Sequence, residues 1–289
     1  MNVLKMLQKR QGFSLVELAI VLVIVGLLAG GGMSLMRSLS QRKARTETMD
    51  HLAAAREALV NFAVIQGRLP PADTTGDGQG DSGSFAGNLP ATDLAVRPMD
   101  PFRRRLTYAV NAQLTVNRDT TCRALKTGLA GAPLVVDSDG AATAAPMALV
   151  MVSSGPMDAD GDGNPFDMIT SGSHQGDNTD GAPNYLRYPP VTTFDDMTAY
   201  AGGSELYRIV CGDPALSVSN TGGAPVYLYD VDAGQDVATI AAGDIWSQRI
   251  YPGTIVELRS APAGGGAIVS STPATPLILS GNGRSVAIP

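Results

Sequence analysis

The stretch from Phe13 to Met36 is an almost unbroken apolar run. As a helix it would reach about 36 Å, enough for the roughly 30 Å hydrocarbon core of a bilayer. One carboxylate, Glu17, interrupts it near its start, where an isolated charge in hydrocarbon costs roughly several kcal/mol. Beyond the run the pattern changes rather than ends. Met49, Leu52, Leu59 and Phe62 recur at helical spacing with Ala between them, an apolar stripe beside Arg56 and Glu57. "QGRLPP" then stops it, Gly67 and Pro70 being helix breakers. The pattern predicts one helix from Phe13 to about Gln66, roughly 80 Å long.

From residue 67 onward turn residues are dense and apolar runs short. "RLTYAV" (Arg105–Val110) alternates and "ALVMVSS" (Ala148–Ser154) is almost continuously apolar, so both read as strands, with "LYRIV" (Leu206–Val210) a third. "FDDMTAY" (Phe194–Tyr200) reads as a short amphipathic turn or helix leading into it. After Cys211 the texture becomes "LSVSN", "PVYLYDV", "DVATIAA", "GTIVELRS", "GAIVSS", "PLILS" and "RSVAIP". Turn residues separate these runs at intervals of roughly 8–12 residues, which predicts a small all-β sandwich or barrel-like domain. Trp246, Tyr227, Tyr229 and Tyr251 are expected in its core. The fold class expected is α+β: a long N-terminal helix against a small antiparallel sheet, then a small all-β domain.

Charge sharpens this picture. Lys5, Lys9 and Arg10 precede the apolar run, and Arg37, Arg42, Lys43 and Arg45 follow it, within a chain of net charge −6. What remains is distinctly acidic, which argues against nucleic acid as a partner. Glu occurs only at positions 17, 47, 57, 205 and 257, so nearly all the acid is Asp, the residue of turns and calcium loops. In "DADGDGN" (Asp158–Asn164), Asp158, Asp160 and Asp162 alternate ahead of Gly163, as in the first half of an EF-hand-type loop. Such a pattern can point oxygens at one Ca2+ ion. Ile169 holds the place of the usual bidentate Glu and Asp167 is the nearest acid, so this is no EF-hand. It reads as a calcium site completed by backbone carbonyls and a remote acid, or as a solvated Asp/Gly turn. "DTTGDGQGD" (Asp73, Asp77, Asp81) and "HQGDNTDG" (His174–Gly181) are weaker versions, or sources of remote ligands. The two histidines are His51 on the helix and His174 in a polar loop, and HExxH, Walker A, GxSxG and CxxC are all missing. No catalytic residue is expected.

The N-terminus carries a further pattern: a short basic leader ending in Gly12, then "FSLVEL", then the apolar run. This resembles the type IV pilin superfamily, in which Gly precedes a cleavage site, a hydrophobic residue follows it, and Glu is the fifth mature residue. Gly12, Phe13 and Glu17 match position by position. A secretory signal peptide cut at "LAGGGMS" and a plain signal anchor are the competing readings, and neither needs Glu17. Where many members carry a helix-kinking Pro this chain has Ser34, with Gly26 and Gly30–Gly32 nearby. The resemblance implies that prepilin peptidase removes residues 1–12 and that the new amine of Phe13 is methylated. It implies a bacterial inner-membrane protein with its N-terminus cytoplasmic and its head periplasmic, assembled with other pilin or pseudopilin subunits by an inner-membrane platform into a filament in the periplasm or at the cell surface. Glu17 would then neutralise the amine of a neighbouring subunit, an attraction of roughly 4 kcal/mol at 4 Å and an effective dielectric near 20, before desolvation.

"GRLPPAD", "DPFRRRLTYAV", "VMVSSGPMDADGDG" and "FDDMTAYAGGSELYRIV" resemble, in that order, segments of pseudopilin and minor pilin heads, some of which bind calcium. The implied divisions are a leader at 1–12, a transmembrane and spine helix at 13–66, a pilin-like head at 67–211 and a β-rich extension of unknown partner at 212–289. With the head outside the cytoplasm, Cys122 and Cys211 are expected to pair rather than remain buried thiols. The expected role is a minor pilin or pseudopilin of a type IV pilus-like or type II secretion filament. The alternative is a membrane-anchored periplasmic binding or adhesion protein that does not polymerise.

Overall fold

The computed structural model describes residues 14–137, 145–158, 161, 163–166, 168–169, 176–178, 184–187, 189–191, 194–280 and 283–289, with backbone alone at 28–35, 37–38, 137, 145, 168–169, 176–177 and 184. It is a mixed α+β structure in two compact units, residues 1–46 and 47–289. Helix α1, Leu15–Gln66, is continuous through Gly30–Gly32 and Ser34. In the first unit its side chains from Leu15 to Leu27 are exposed. Among the described residues no helix is long and apolar enough to cross a membrane.

In the second unit α1 buries Leu52, Ala55, Leu59 and Ala63, spaced three and four apart and so on one face. This corrects the expected stripe in detail: Met49 is half-exposed and Phe62 only partly buried, while small Ala residues let the helix approach its neighbours closely. The helix ends where Gly67 adopts φ +71° and donates its N–H to the Ala63 carbonyl at 2.8 Å, a left-handed cap.

Against α1 lies an antiparallel sheet of β1 (Ala86–Asn88), β2 (Thr107–Val110), β3 (Leu149–Ser153) and β4 (Met197–Ala201), in that order, with Thr107 opposite Val152 and Met151 opposite Ala199. Tyr108, Val110, Leu149 and Met151 pack with the α1 face, and Ala109, Val150 and Val152 pack on the other side with Val135 and Tyr185. Burial on both faces is why β3 reads as a continuous apolar run. The strand carrying Val135, Leu134–Asp137, pairs parallel with Asn184–Arg187 and antiparallel with Ala145–Pro146.

Two expectations exchange places. "LYRIV" lies in helix α3, Gly203–Cys211, where Leu206, Val210 and Cys211 are buried and Glu205 and Arg208 face out. "FDDMTAY" leads instead into strand β4. An apolar run of five residues fits either period, and the sheet edge beside β3 decides between them. A further helix, α2 (Arg118–Thr127), falls in a region read as loops and strands. Asn117 caps it, its side-chain oxygen accepting from the Thr120 N–H at 2.9 Å.

Residues 215–289 form a β module of two sheets over one core. β5 (Ala215–Asn220), β6 (Val226–Asp230), β7 (Gln235–Ile240), β8 (Ile245–Arg249), β9 (Ile255–Arg259), β10 (Leu277–Ile278) and β11 (Arg284–Ile288) order as β8-β5-β11 and β7-β6-β9-β10. Leu216, Val218, Val226, Leu228, Ile240, Val256, Leu258, Leu279, Val286 and Ile288 fill the space between. "GAIVSS" makes only the isolated bridge Arg259–Ile268. Trp246 packs partly against the core, but Tyr251 is 79% exposed, against expectation, because it lies in the turn after β8 rather than on a strand face.

One turn in the head holds strain. Asp100, buried, accepts from the N–H groups of Phe102 and Arg104, both at 2.9 Å, and from the Ser153 hydroxyl at 2.6 Å. This fixes Arg103 at φ +65°, a left-handed conformation costing a side-chain-bearing residue about 1–2 kcal/mol. Arg103→Gly is expected to raise stability by about 1 kcal/mol. Thermal melts would show it, and an unchanged or lower midpoint would refute the strain.

Candidate functional site

The described chain begins with a reciprocal pair. The Ser14 hydroxyl accepts from the Glu17 N–H at 3.1 Å, and the Glu17 carboxylate accepts from the Ser14 N–H at 3.3 Å. This is a capping box: Ser at the cap and Glu three residues on satisfy two otherwise orphaned amides, and the carboxylate also suits the positive end of the helix dipole. The spacing S-x-x-E in "FSLVEL" was legible as such a box, but the apolar run drew attention to Glu17 as a charge alone. Gly12 and Phe13 lie outside the described residues. Leu15, at 86% exposure, and the exposed apolar residues after it place Glu17 on a helix whose greasy surface is uncovered among the described residues.

In the head, two Asp/Gly loops share one construction. Asp73 accepts from Gly76 N–H at 2.6 Å with one oxygen and from Gly78 N–H at 2.9 Å with the other. Asp158 repeats this with Gly161 at 2.7 Å and Gly163 at 2.8 Å. All four glycines have positive φ, from +79° to +92°, which only Gly adopts freely. Both segments read D-x-x-G-D-G. Consecutive arginines anchor them. Arg105 donates to the Gly76 carbonyl at 2.9 Å and lies 3.8 Å from Asp73, while Arg104 donates to the carbonyls of Ser154 at 3.1 Å and Pro165 at 3.2 Å. Between the loops opens a cleft of about 680 Å³, lined by Arg104, Arg105, Asp73, Asn88, Asn164 and Phe166 among others. Its lining mixes guanidinium, amide and hydroxyl groups with the apolar surface of Phe166, Pro165 and Ala86.

The first unit carries a known signature. Residues 7–33 match the prokaryotic N-terminal methylation motif. This is the prepilin signal of type IV pilins and pseudopilins, and it supports a type IV pilin-like, prepilin-processed protein. It implies processing by prepilin peptidase and assembly with other pilin subunits, and it is consistent with membrane anchoring. No characterised protein matches the chain as a relative.

Of the acids singled out beyond this prepilin signal, Asp73, Asp77 and Asp81 fall in one loop but do not converge. Asp77 accepts from Gln79 N–H at 2.8 Å, and Asp81 accepts from the Thr74 N–H and hydroxyl and from Thr75 N–H. All three carboxylates are thus engaged by backbone amides, with the Arg105 guanidinium 3.8 Å from Asp73. Asp158 is held as described above, whereas Asp160, Asp162, Asp167 and His174 lie outside the described residues. Among the described residues no three His, Cys, Asp or Glu side chains group to hold a metal. Cys122 and Cys211 do come together as a disulfide joining α2 to the end of α3, with Cα atoms 5.5 Å apart. His51 lies against the Arg97 carbonyl at 2.9 Å.

Asp195 and Asp196 were missed. Both are buried, and Asp196 accepts from the Asn178 amide at 3.0 Å, tying "HQGDNTDG" to the start of β4. No sequence signal marked them, since adjacent carboxylates ordinarily face solvent.

Hydrogen bonds from the Thr74 hydroxyl and amide hold the Asp81 carboxyl below its ordinary value of 3.8. A depressed pKa contributes stability that is present above the unfolded-state value and lost as pH falls through the folded one. Loop 73–81 is therefore expected to loosen only below the ordinary carboxylate range. Thr74→Val, which removes the leading hydrogen bond, is expected to move the Asp81 titration back upward, read by NMR of its carboxyl carbon. An unmoved titration would refute the assignment.

Proposed function

We propose that this protein is a minor pilin or pseudopilin: a non-catalytic subunit cut between Gly12 and Phe13, methylated on Phe13, and built through α1 into a type IV pilus-like or type II secretion filament of the bacterial inner membrane. The observation that carries the reading is the methylation motif at residues 7–33 with Glu17 at its fifth mature position. Once residues 1–12 are removed, a new cation stands next to Ser14, and the Glu17 carboxylate already sits at that end of the helix. In an apolar bundle a subunit out of register would leave both charges unpaired, so the pair selects register more than it adds net stability. The sheet of β1–β4 against α1 supports a pilin-like head at 67–211, with residues 212–289 as an added module. The cleft between the Asp/Gly loops favours the second reading, an anchored periplasmic binding protein that does not polymerise.

Mass spectrometry of the membrane-extracted protein is expected to give methylated Phe13 as the first residue. A chain still beginning at Met1, or trimmed beyond Met36, would refute the filament reading. Glu17→Ala is expected to leave that processing intact while lowering incorporation into sheared filaments by about tenfold or more, the factor for a lost interaction of roughly 1.4 kcal/mol. Unchanged incorporation would favour the anchored binding protein.

The loop at 158–167 is the place we propose for calcium. Gly163 at its sixth position, φ +92°, makes the sharp turn that such loops need. Chelator is expected to lower the melting temperature of the full chain, and Asp160→Ala to abolish the difference. A chain indifferent to chelator would remove the ion.

A further inference from the structure

One face of α2 is given over to the β module. Asp119, Cys122, Arg123 and Lys126 follow the i, i+3, i+4, i+7 spacing that brings side chains onto one side of a helix. Asp119 accepts from the Ser280 hydroxyl and from the Arg284 guanidinium, the latter at 2.7 Å. Arg123 and Lys126 converge on Asp232, Lys126 at 2.9 Å. Lys126 also donates to the Thr254 hydroxyl at 2.6 Å, and Arg123 to the Gly253 carbonyl at 3.3 Å. Between these charges the backbone of Gly253, φ +78°, lies so close that a Cβ there would stand 2.8 Å from the Cys122 carbonyl carbon. From α3, the Tyr207 hydroxyl donates to the Pro252 carbonyl at 2.8 Å.

The module thus rests on the head through polar contacts of its turns at 230–232 and 252–254 and of Ser280 and Arg284. The apolar core of the module is separate from the core under α1. Burial works to raise the Asp232 carboxyl, yet hydrogen bonds from Arg123 and Lys126 hold it below its ordinary range. Partly exposed ion pairs of this kind are individually weak, so their geometry must be imposed from elsewhere. The disulfide does this. Cys122 is in the middle of the seat, and Cys211 is the last residue of α3, three residues before Pro214 leads into β5. The covalent bond therefore fixes the seat and the root of the module to one another.

We infer that residues 215–289 are latched onto α2 as a rigid arm, held by Asp119 with Arg284 and by Asp232 with Arg123 and Lys126, and that the Cys122–Cys211 bond sets the latch. Without that bond the arm detaches as a folded module rather than unfolding.

Zero-length carbodiimide coupling of the full-length protein in detergent tests this, because it joins an amine to a carboxylate only when they touch. Lys126 and Asp232 are expected to form an amide bond found by peptide mapping, while Trp246, the one tryptophan and part of the module, reports the module's integrity by its emission. In Cys122→Ala/Cys211→Ala the yield is expected to fall about tenfold, as effective concentration is lost, with Trp246 emission unchanged. Asp119→Asn keeps the disulfide and is expected to lower the yield roughly two- to fivefold. Absence of the Lys126–Asp232 product in the parent chain would overturn the latch, and an unchanged yield in the double variant would overturn the role of the disulfide. A red-shifted Trp246 emission there would overturn release as a folded unit. An unchanged yield in Asp119→Asn would overturn the two-point latch.

Discussion

The constraint behind this protein is that α1 offers more apolar surface than the described residues cover. From Leu52 onward the helix buries one face in the head. From Leu15 to Leu27 the same helix presents exposed Leu, Val and Ile side chains. Burying one such side chain is worth roughly 1.5–3 kcal/mol, and here they stand in succession. The methylation motif at residues 7–33 is consistent with membrane anchoring and implies assembly with other pilin subunits, and either would cover such a surface.

Glu17 makes sense only within that constraint. A capping box explains a Ser and a Glu at the start of any helix, but it does not explain a carboxylate facing an apolar environment. Its engagement by the Ser14 amide keeps the charge hydrogen-bonded while the subunit is alone. A cation on an adjacent helix would add a stronger partner without displacing that hydrogen bond, since a carboxylate has two oxygens and about four lone-pair sites. The same side chain can thus serve the single subunit and the assembled one.

How much of this could be read from the letters depends on where periodicity was long enough to count. The end of α1 at Gln66 follows from Gly67 and Pro70, and β2 and β3 follow from runs whose neighbours cover them as the pattern requires. "LYRIV" and "MTAYA" were exchanged because five residues do not distinguish a period of 3.6 from one of 2, and only the vacant edge of β3 does. β8 was passed over because an exposed edge strand, Ile-Trp-Ser-Gln-Arg, carries little alternation. The Asp/Gly loops were legible as loops. Their anchorage by Arg104 and Arg105 was not, since those arginines reach backbone carbonyls that no spacing identifies. The disulfide followed from compartment, but its place in the seat of the β module depended on Gly253 and Asp232, far away in sequence.

That seat shows how a weak interface becomes a defined one. A large apolar contact would hold the module by area alone, but the α2 face is charged, and its pairs with Asp232 and Arg284 stay partly hydrated. Such pairs fix orientation better than they supply affinity. The disulfide closes a chain separation of 89 residues, which in the chain-entropy account restrains the unfolded state by about 4–5 kcal/mol. It does so where α2 and α3 meet the root of the module, so the restraint also concentrates Arg123 and Lys126 against Asp232. Covalent connection supplies the proximity that the ion pairs lack, and the ion pairs supply the orientation that a single bond, free to pivot, would leave open.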